Sequence, residues 1–306
     1  MEATTRISRS VLSVPVINSR MVERGLASNA DMIFLDLEDS TAPSQKADAR
    51  AAAIAAVDGA DWSGKPRTVR INALGTPWFA RDIVDLIEQA GHRLDLIVVP
   101  KVDSPADVAA VDRLLTSLEA SIPNSQDVRI EAQIESAAGL VACEKIAAAS
   151  PRLEALVYGP GDLAASLRLP GRGIGMRGVW DDRYSSDRFH YPLMQILVAA
   201  RAHGLRVIDG PYADFRDLDG LRRSAEQTRA LGYDGKWCIH PAQIDVVNEV
   251  FTPDDEEIEE ARAIIAAYEE ATTSGIGAVV HQGVMIDAAS VRMAQAIAEI
   301  AGRTQG

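Results

Sequence analysis

The sequence predicts a (β/α)8 TIM barrel with a helical lid extension at its C-terminal end, and three observations carry that reading. Short Val-, Ile- and Leu-rich runs alternate with longer amphipathic stretches, the pattern of a parallel sheet covered by helices. Those runs number eight, the count that closes a barrel. The residues that follow them are charged or polar, and strand C-termini are where barrel enzymes place their chemistry. An open, doubly wound sheet is the competing architecture, since element order alone does not show closure.

In chain order the predicted strands are Val11–Val16, Met32–Leu37, Thr68–Ile71, Leu94–Pro100, Arg129–Ile134, Ala155–Gly159, Leu205–Ile208 and Lys236–Ile239. Helices fill the gaps. In Gln45–Val57 and Pro105–Ala120 apolar residues return every three or four positions, and Ser104-Pro105 supplies a cap followed by proline in the first turn. After the eighth strand, Thr252-Pro253-Asp254-Asp255-Glu256-Glu257 opens a helix with a capping residue and an acidic first turn, predicted to run to about Thr272. A glycine-containing hinge at 275–277, a short apolar piece at Ala278–Val280, a turn at Gln282-Gly283 and a last helix complete the chain. Residues 1–250 are therefore expected to form the catalytic barrel and 251–306 a lid module.

Composition narrows the function classes. With 44 acidic against 31 basic side chains, the net charge of −13 repels a nucleic-acid backbone. No apolar run approaches the roughly 18 residues of a membrane span, and the first residues lack the basic and apolar regions of a secretion signal. The two cysteines, Cys143 and Cys238, sit in no metal-binding or redox spacing and suit a reducing compartment, so a cytoplasmic protein is expected.

The strand ends form a charged ring. Strand two ends Asp36-Leu37-Glu38-Asp39, strand three Arg70-Ile71-Asn72, strand four Pro100-Lys101, strand five Gln133-Ile134-Glu135, strand seven Asp209-Gly210-Pro211 and strand eight His240-Pro241. Strand six leads through Gly159-Pro160-Gly161 to Asp162. Glu135 and Asp162, from neighbouring strands, can converge as two oxygen ligands for Mg2+, with Mn2+ an alternative, while water and substrate complete the coordination. The plainer reading is that each acid caps the helix that follows it. Asp36, Glu38 and Asp39 crowd one strand end and need cations, which Arg70 and Lys101 can supply as a structural ion network. Arg70 can also pair with a substrate carboxylate or steady an oxyanion. His240 reads as a hydrogen-bonded barrel residue, because the five histidines show no zinc spacing. The glycine-rich stretch Pro170–Gly178 lacks a Walker lysine and a GxGxxG pattern, and reads as a loop over the site.

These motifs resemble the HpcH/HpaI aldolase and citrate lyase β-subunit superfamily over nearly the whole chain, and within it the malyl-CoA lyase branch. The resemblance rests on Ile33–Ser40 (IFLDLEDS), Val69–Leu74 (VRINAL), Val99–Val102 (VPKV), Ile134–Gly139 (IESAAG), Gly161–Ser166 (GDLAAS), Ile208–Pro211 (IDGP), Gly235–Pro241 (GKWCIHP), Asn248–Pro253 (NEVFTP) and Met285–Ser290 (MIDAAS). It implies that Glu135 and Asp162 bind Mg2+, which chelates glyoxylate or the 2-hydroxy acid end of a CoA thioester. It further implies that Arg70, with Asp36 beside it, polarises the reacting oxygens, and that Asp287 is the general acid/base on a lid shared with a neighbouring subunit of a homotrimer or hexamer. Without the resemblance, Asp287 reads only as a helix N-terminal residue. Arg20 and Arg24, on the first helix, are candidate contacts to CoA phosphates or plain exposed arginines.

The implied reaction is reversible cleavage of malyl-CoA, or a β-methylmalyl or citramalyl relative, into glyoxylate or pyruvate and a short acyl-CoA. A malyl-CoA thioesterase and a citrate-lyase subunit acting on a partner-bound thioester are the rivals. Two departures from the family stand out: Val14-Pro15-Val16 replaces the usual Val-Pro-Gly turn, and the segment 170–190 is short.

Overall fold

The computed structural model describes residues 6–122, 127–171, 173–184, 186–275 and 277–304. Eight parallel strands close into a barrel: β1 (Ser10–Pro15), β2 (Met32–Asp36), β3 (Arg67–Arg70), β4 (Leu96–Val99), β5 (Arg129–Ile134), β6 (Leu153–Tyr158), β7 (Arg206–Asp209) and β8 (Gly235–Cys238). The pairing of β1 with β8, Val11 opposite Trp237, is the closure that separates this fold from the open sheet. Strands and helices alternate as expected for a (β/α)8 TIM barrel.

Alternation decides what faces the barrel axis. Val11, Met32, Phe34, Leu96, Val98, Ala155, Val157, Ile208 and Trp237 form one buried cluster, the apolar filling of the barrel. The β5 residues level with Ala155 and Val157 are Glu131 and Gln133, so β5 turns a polar face inward. The opposite face of β7 and β8 carries Asp209 and Lys236, a buried ion pair supported by Thr228 Oγ1 donating to Asp209 at 3.0 Å. Asp209 therefore turns away from the apolar filling, on the helix-covered side of the sheet.

Observed strand β6 begins at Leu153, two residues before the run that the sequence suggests. Glu154 hides the start, because a charged residue looks like a loop. Here it is 3% exposed and accepts from Arg6 and Arg129 at 3.0 Å each.

The chain divides into a unit of residues 1–248 and a second of 249–306. In the second, the helix Asp255–Thr273 is opened by a reciprocal cap: Asp254 accepts from Glu257 N at 2.8 Å, and Glu257 from Asp254 N at 2.9 Å. A hairpin follows, β9 (Val279–His281) and β10 (Val284–Ile286). Its two turn residues, Gln282 and Gly283, have φ of 48° and 82°, the left-handed pair that matches strand twist. The last helix spans Ala288–Thr304 and packs on the helix Asp255–Thr273. Of the hinge read at 275–277, Ile276 lies outside the described residues, as do Arg172 and Ser185 of the 170–190 segment.

Candidate active site

The acidic end of β2 is built around Arg70. Asp36 and Arg70 are level on adjacent strands, and the guanidinium donates to both Asp36 oxygens, Nε and Nη2 each at 2.7 Å. Nη1 lies 3.0 Å from Glu38 and 3.5 Å from Asp39. Beneath, the cation lies over the rings of Trp237 and Phe34, 5.5 and 5.6 Å from their centroids. The bidentate edge of Arg70 is thus engaged by Asp36. With Nη1 facing Glu38 and Asp39, a substrate oxygen would meet the one remaining Nη2 N–H.

Burial alone would raise the Asp36 carboxyl, but the charge and hydrogen bonds of Arg70, with Ser40 and Glu38 amides, hold it below the ordinary carboxylate range. Burial likewise opposes the charge on Arg70, and Asp36, Glu38 and Asp39 outweigh it. Glu38 is pushed up, chiefly by burial, against the pull of Arg70 and Lys101. Lys46, 6% exposed, donates its ammonium to the carbonyls of Leu37 and Glu38 at 2.7 and 2.8 Å and fixes this turn. Sequence reasoning passed over Lys46, since a lysine within an amphipathic helix gives no sign of burial.

Glu135 and Asp162 both meet Lys101. The Lys101 backbone N–H donates to Glu135 Oε1 at 2.7 Å, and its ammonium stands 2.6 Å from Glu38, 3.6 Å from Asp39 and 3.9 Å from Asp162. Lys101 has φ of +52°, a left-handed conformation costly for a residue with a Cβ. That turn aims the amide at Glu135. Lys101→Gly is accordingly expected to be more stable to urea than Lys101→Ala by about 1 kcal/mol, because only alanine keeps the strain once the side chain's ion pairs are gone.

Neither acid caps a helix as the plainer reading would have it. Ser136 caps Ala137–Val141, accepting from Gly139 N at 2.9 Å, which frees Glu135 for the mouth. Asp162 sits in the first turn of the helix Pro160–Ser166, whose N-cap is Gly159, and is exposed. Glu135 is 3% exposed and its carboxyl is pushed up to about 8, first by burial and then by the charges of Asp162 and Glu38, against the Lys101 amide.

This donor set fits a hard divalent cation. Five acids, Asp36, Glu38, Asp39, Glu135 and Asp162, share two cationic side chains, Arg70 and Lys101, and Glu135 is buried beside other carboxylates. Among the described residues no three His, Cys, Asp or Glu side chains are grouped to hold a metal. Two protein carboxylates would leave the remaining positions to water and substrate, as Mg2+ prefers.

The other expected residues fall elsewhere. Arg20 and Arg24 are exposed on the helix Ser19–Leu26 that follows β1. His240 is a capping residue: its Nδ1 accepts from Ala242 N at 3.1 Å and its ring stacks on Phe215. Asp287 belongs to the second unit, where its carboxylate caps the last helix, accepting from Ala289 N at 2.8 Å and Ser290 N at 3.1 Å, which hold it below its ordinary pKa. Residues 173–178 line a cavity of about 780 Å3 beside the Asp162 helix, and Gly175–Arg177 also line one of about 490 Å3 against β6 and β7. Arg70 and Glu135 line neither.

Comparison with known proteins agrees with this architecture. The HpcH/HpaI aldolase/citrate lyase family matches residues 9–241. The chain is 46% identical over 300 residues to the L-malyl-CoA/beta-methylmalyl-CoA lyase of Cereibacter sphaeroides, covering 95% of this chain and 94% of that one. It is 40% identical over 281 residues to a (3S)-malyl-CoA thioesterase of the same species, covering 91% and 89%. Among solved structures, CitE of Mycobacterium tuberculosis in complex with magnesium, acetoacetate and coenzyme A superposes with a TM-score of 0.78 at 30% identity, over 97% of this chain and 99% of that one. A closed barrel with this ring of strand-end residues, matched over most of its length by that family, places the chain as a member of the HpcH/HpaI aldolase/citrate lyase family.

Proposed function

We propose that this chain is a Mg2+-dependent carbon–carbon lyase that reversibly cleaves malyl-CoA, or a β-methylmalyl or citramalyl relative, into glyoxylate or pyruvate and a short acyl-CoA. The observation that carries the reading is a buried Glu135 that feels the charge of Asp162, at a mouth where acids outnumber cations, in a chain so similar to malyl-CoA lyases.

Cleavage breaks the bond between the carbinol carbon and the carbon α to the thioester. The hydroxyl proton leaves, the oxo acid departs, and the thioester enolate takes up a proton. When bound, Mg2+ would supply Lewis-acid chelation of the carboxylate and neighbouring oxygen of the oxo acid, held by Glu135 and Asp162. Arg70, kept charged and fixed by Asp36, steadies negative charge at the mouth. Asp287 serves as the proton-transfer group: its lowered pKa keeps it ionised near neutrality, the form that takes a proton from acyl-CoA in the condensing direction. Arg20 and Arg24 contact CoA phosphates.

The experiment is incubation of malyl-CoA with purified protein and Mg2+, trapping glyoxylate and assaying acetyl-CoA and free thiol separately. Glyoxylate with acetyl-CoA is expected. Free CoA with malate would mean the thioesterase. No turnover of malyl-CoA or its methyl and citramalyl relatives would overturn the lyase reading, and turnover of a free CoA ester by the chain alone excludes dependence on a partner-bound thioester.

Residues 251–306 act in this proposal as a lid over the barrel of a neighbouring subunit in a homotrimer or hexamer. Asp287→Ala and Glu135→Ala proteins, each inactive, are expected to regain part of the native activity when mixed and allowed to exchange subunits. Verified exchange without recovery would rule the shared site out. The described residues contain no helix long and apolar enough to cross a membrane, and both cysteines are free and buried, in keeping with a cytoplasmic enzyme.

A further inference from the structure

The inward face of β5 holds three polar side chains in a row, Glu131, Gln133 and Glu135, and the reaction above accounts only for the last. Gln133 is 4% exposed and level with Val157 of the apolar filling. Its Nε2 donates to Glu135 Oε2 at 2.6 Å, while the Lys101 amide holds Oε1 at 2.7 Å. One donor on each oxygen fixes the plane of the carboxylate. The reversed amide would set its oxygen against a carboxylate oxygen, so the carboxylate selects the orientation.

Holding Gln133 here has a cost. Its own Oε1 is buried without a hydrogen-bond partner, an orphan that an apolar residue of the same size would not carry. The surroundings are fitted to the pair as well. A Cβ at Gly159, at the end of β6, would lie 2.4 Å from Glu135 Cβ, 2.6 Å from Glu135 Oε2 and 3.1 Å from Gln133 Nε2, so the space a side chain would take is already occupied by these two residues.

We infer that Gln133 is a positioning residue for metal binding: it does not touch the cation or substrate, but holds the Glu135 carboxylate in the orientation that accepts a divalent ion. The inference rests on Glu135 being a metal ligand. Groups that orient ligands in this way are worth 10- to 100-fold in metal affinity.

The test uses the full-length protein and Mn2+ as the probe, titrated by electron paramagnetic resonance, with melting temperature measured alongside. Gln133→Met keeps the length and removes the donor. Its Mn2+ Kd is expected to rise about 10- to 100-fold, with a cooperative melt close to the native one, because the orphaned Gln133 oxygen is removed as Glu135 Oε2 loses its donor. Should that variant fail to fold, Gln133→Asn, which keeps an amide but falls one methylene short, is expected to show the same weakening. Glu135→Gln is the reference. If Glu135→Gln binds Mn2+ as tightly as the native protein, Glu135 is not a ligand and both readings fall. If Glu135→Gln loses binding while the Gln133 variant stays within about twofold of native, the positioning role alone is overturned.

Discussion

Glu135→Gln is expected to abolish the response of the protein to Mg2+ and to lower kcat/KM by about 1,000-fold or more, the scale of losing a Lewis acid worth several kcal/mol in the transition state. The substitution is isosteric, at a position that is 3% exposed. It should not weaken the fold. The Lys101 amide at 2.7 Å can donate to the new carbonyl oxygen as it did to Oε1. Gln133 can turn its amide, so that its unpartnered Oε1 accepts from the new NH2 group. A carboxyl that burial and neighbouring acids push up to about 8 is also removed. The melting temperature of metal-free Glu135→Gln is therefore expected to equal or exceed that of the metal-free native protein. Only the native protein should gain stability on adding Mg2+, by the usual mass-action relation. Thermal melts with and without Mg2+, and kcat/KM at saturating metal, check both halves. A variant that keeps a tenth of native kcat/KM would remove Glu135 from the metal site.

The fold was legible because its signals are local and repeated. Val- and Ile-rich runs at regular spacing mark β1 to β8 whatever the details of packing, and a polar residue after each run marks the mouth. Glu135 was legible for that reason. Its support was partly so: polar residues alternate through Glu131, Gln133 and Glu135 along β5, and in a strand buried on both faces that alternation marks an inward polar column. The rest depends on contacts that spacing does not encode. That Ser136, not Glu135, caps the next helix follows from one hydrogen bond to Gly139. The left-handed Lys101 that brings its amide to Glu135 carries no glycine or asparagine signature. The burial of Lys46 under two carbonyls and the pairing of Glu154 with Arg6, Arg129 and Arg206 emerge only when distant segments meet.

Arg70→Met is expected to destabilise the protein by about 3–5 kcal/mol at pH 7, the cost of leaving buried carboxylates without their counter-ion. Asp36 is 1% exposed and Glu38 6%, and Arg70 reaches Asp36 through two 2.7 Å bonds and Glu38 at 3.0 Å. Adding Asp36→Asn to Arg70→Met should recover part of the loss, since it removes the charge that was stranded. Dependence on pH separates this account from a loss of packing against Phe34 and Trp237. Asp36 has a folded-state pKa below its ordinary value, so its stabilisation is present above the unfolded pKa of about 3.9 and disappears as pH falls through the lower folded value. In Arg70→Met the opposing pull is gone, burial dominates, and Asp36 takes up a proton at a pH above that of the native protein. The stability gap between native and variant is thus greatest near neutrality and narrows toward pH 4. Lost packing alone would leave the gap constant. Arg70→Lys keeps a charge but lacks the planar fork that spans both Asp36 oxygens, so it is expected to retain more stability than methionine while losing about 100-fold or more in kcat. Urea unfolding at pH 4 and pH 7, with kcat for the lysine variant, measures each quantity. A gap unchanged by pH would mean that Arg70 serves the barrel by its bulk and not by its charge.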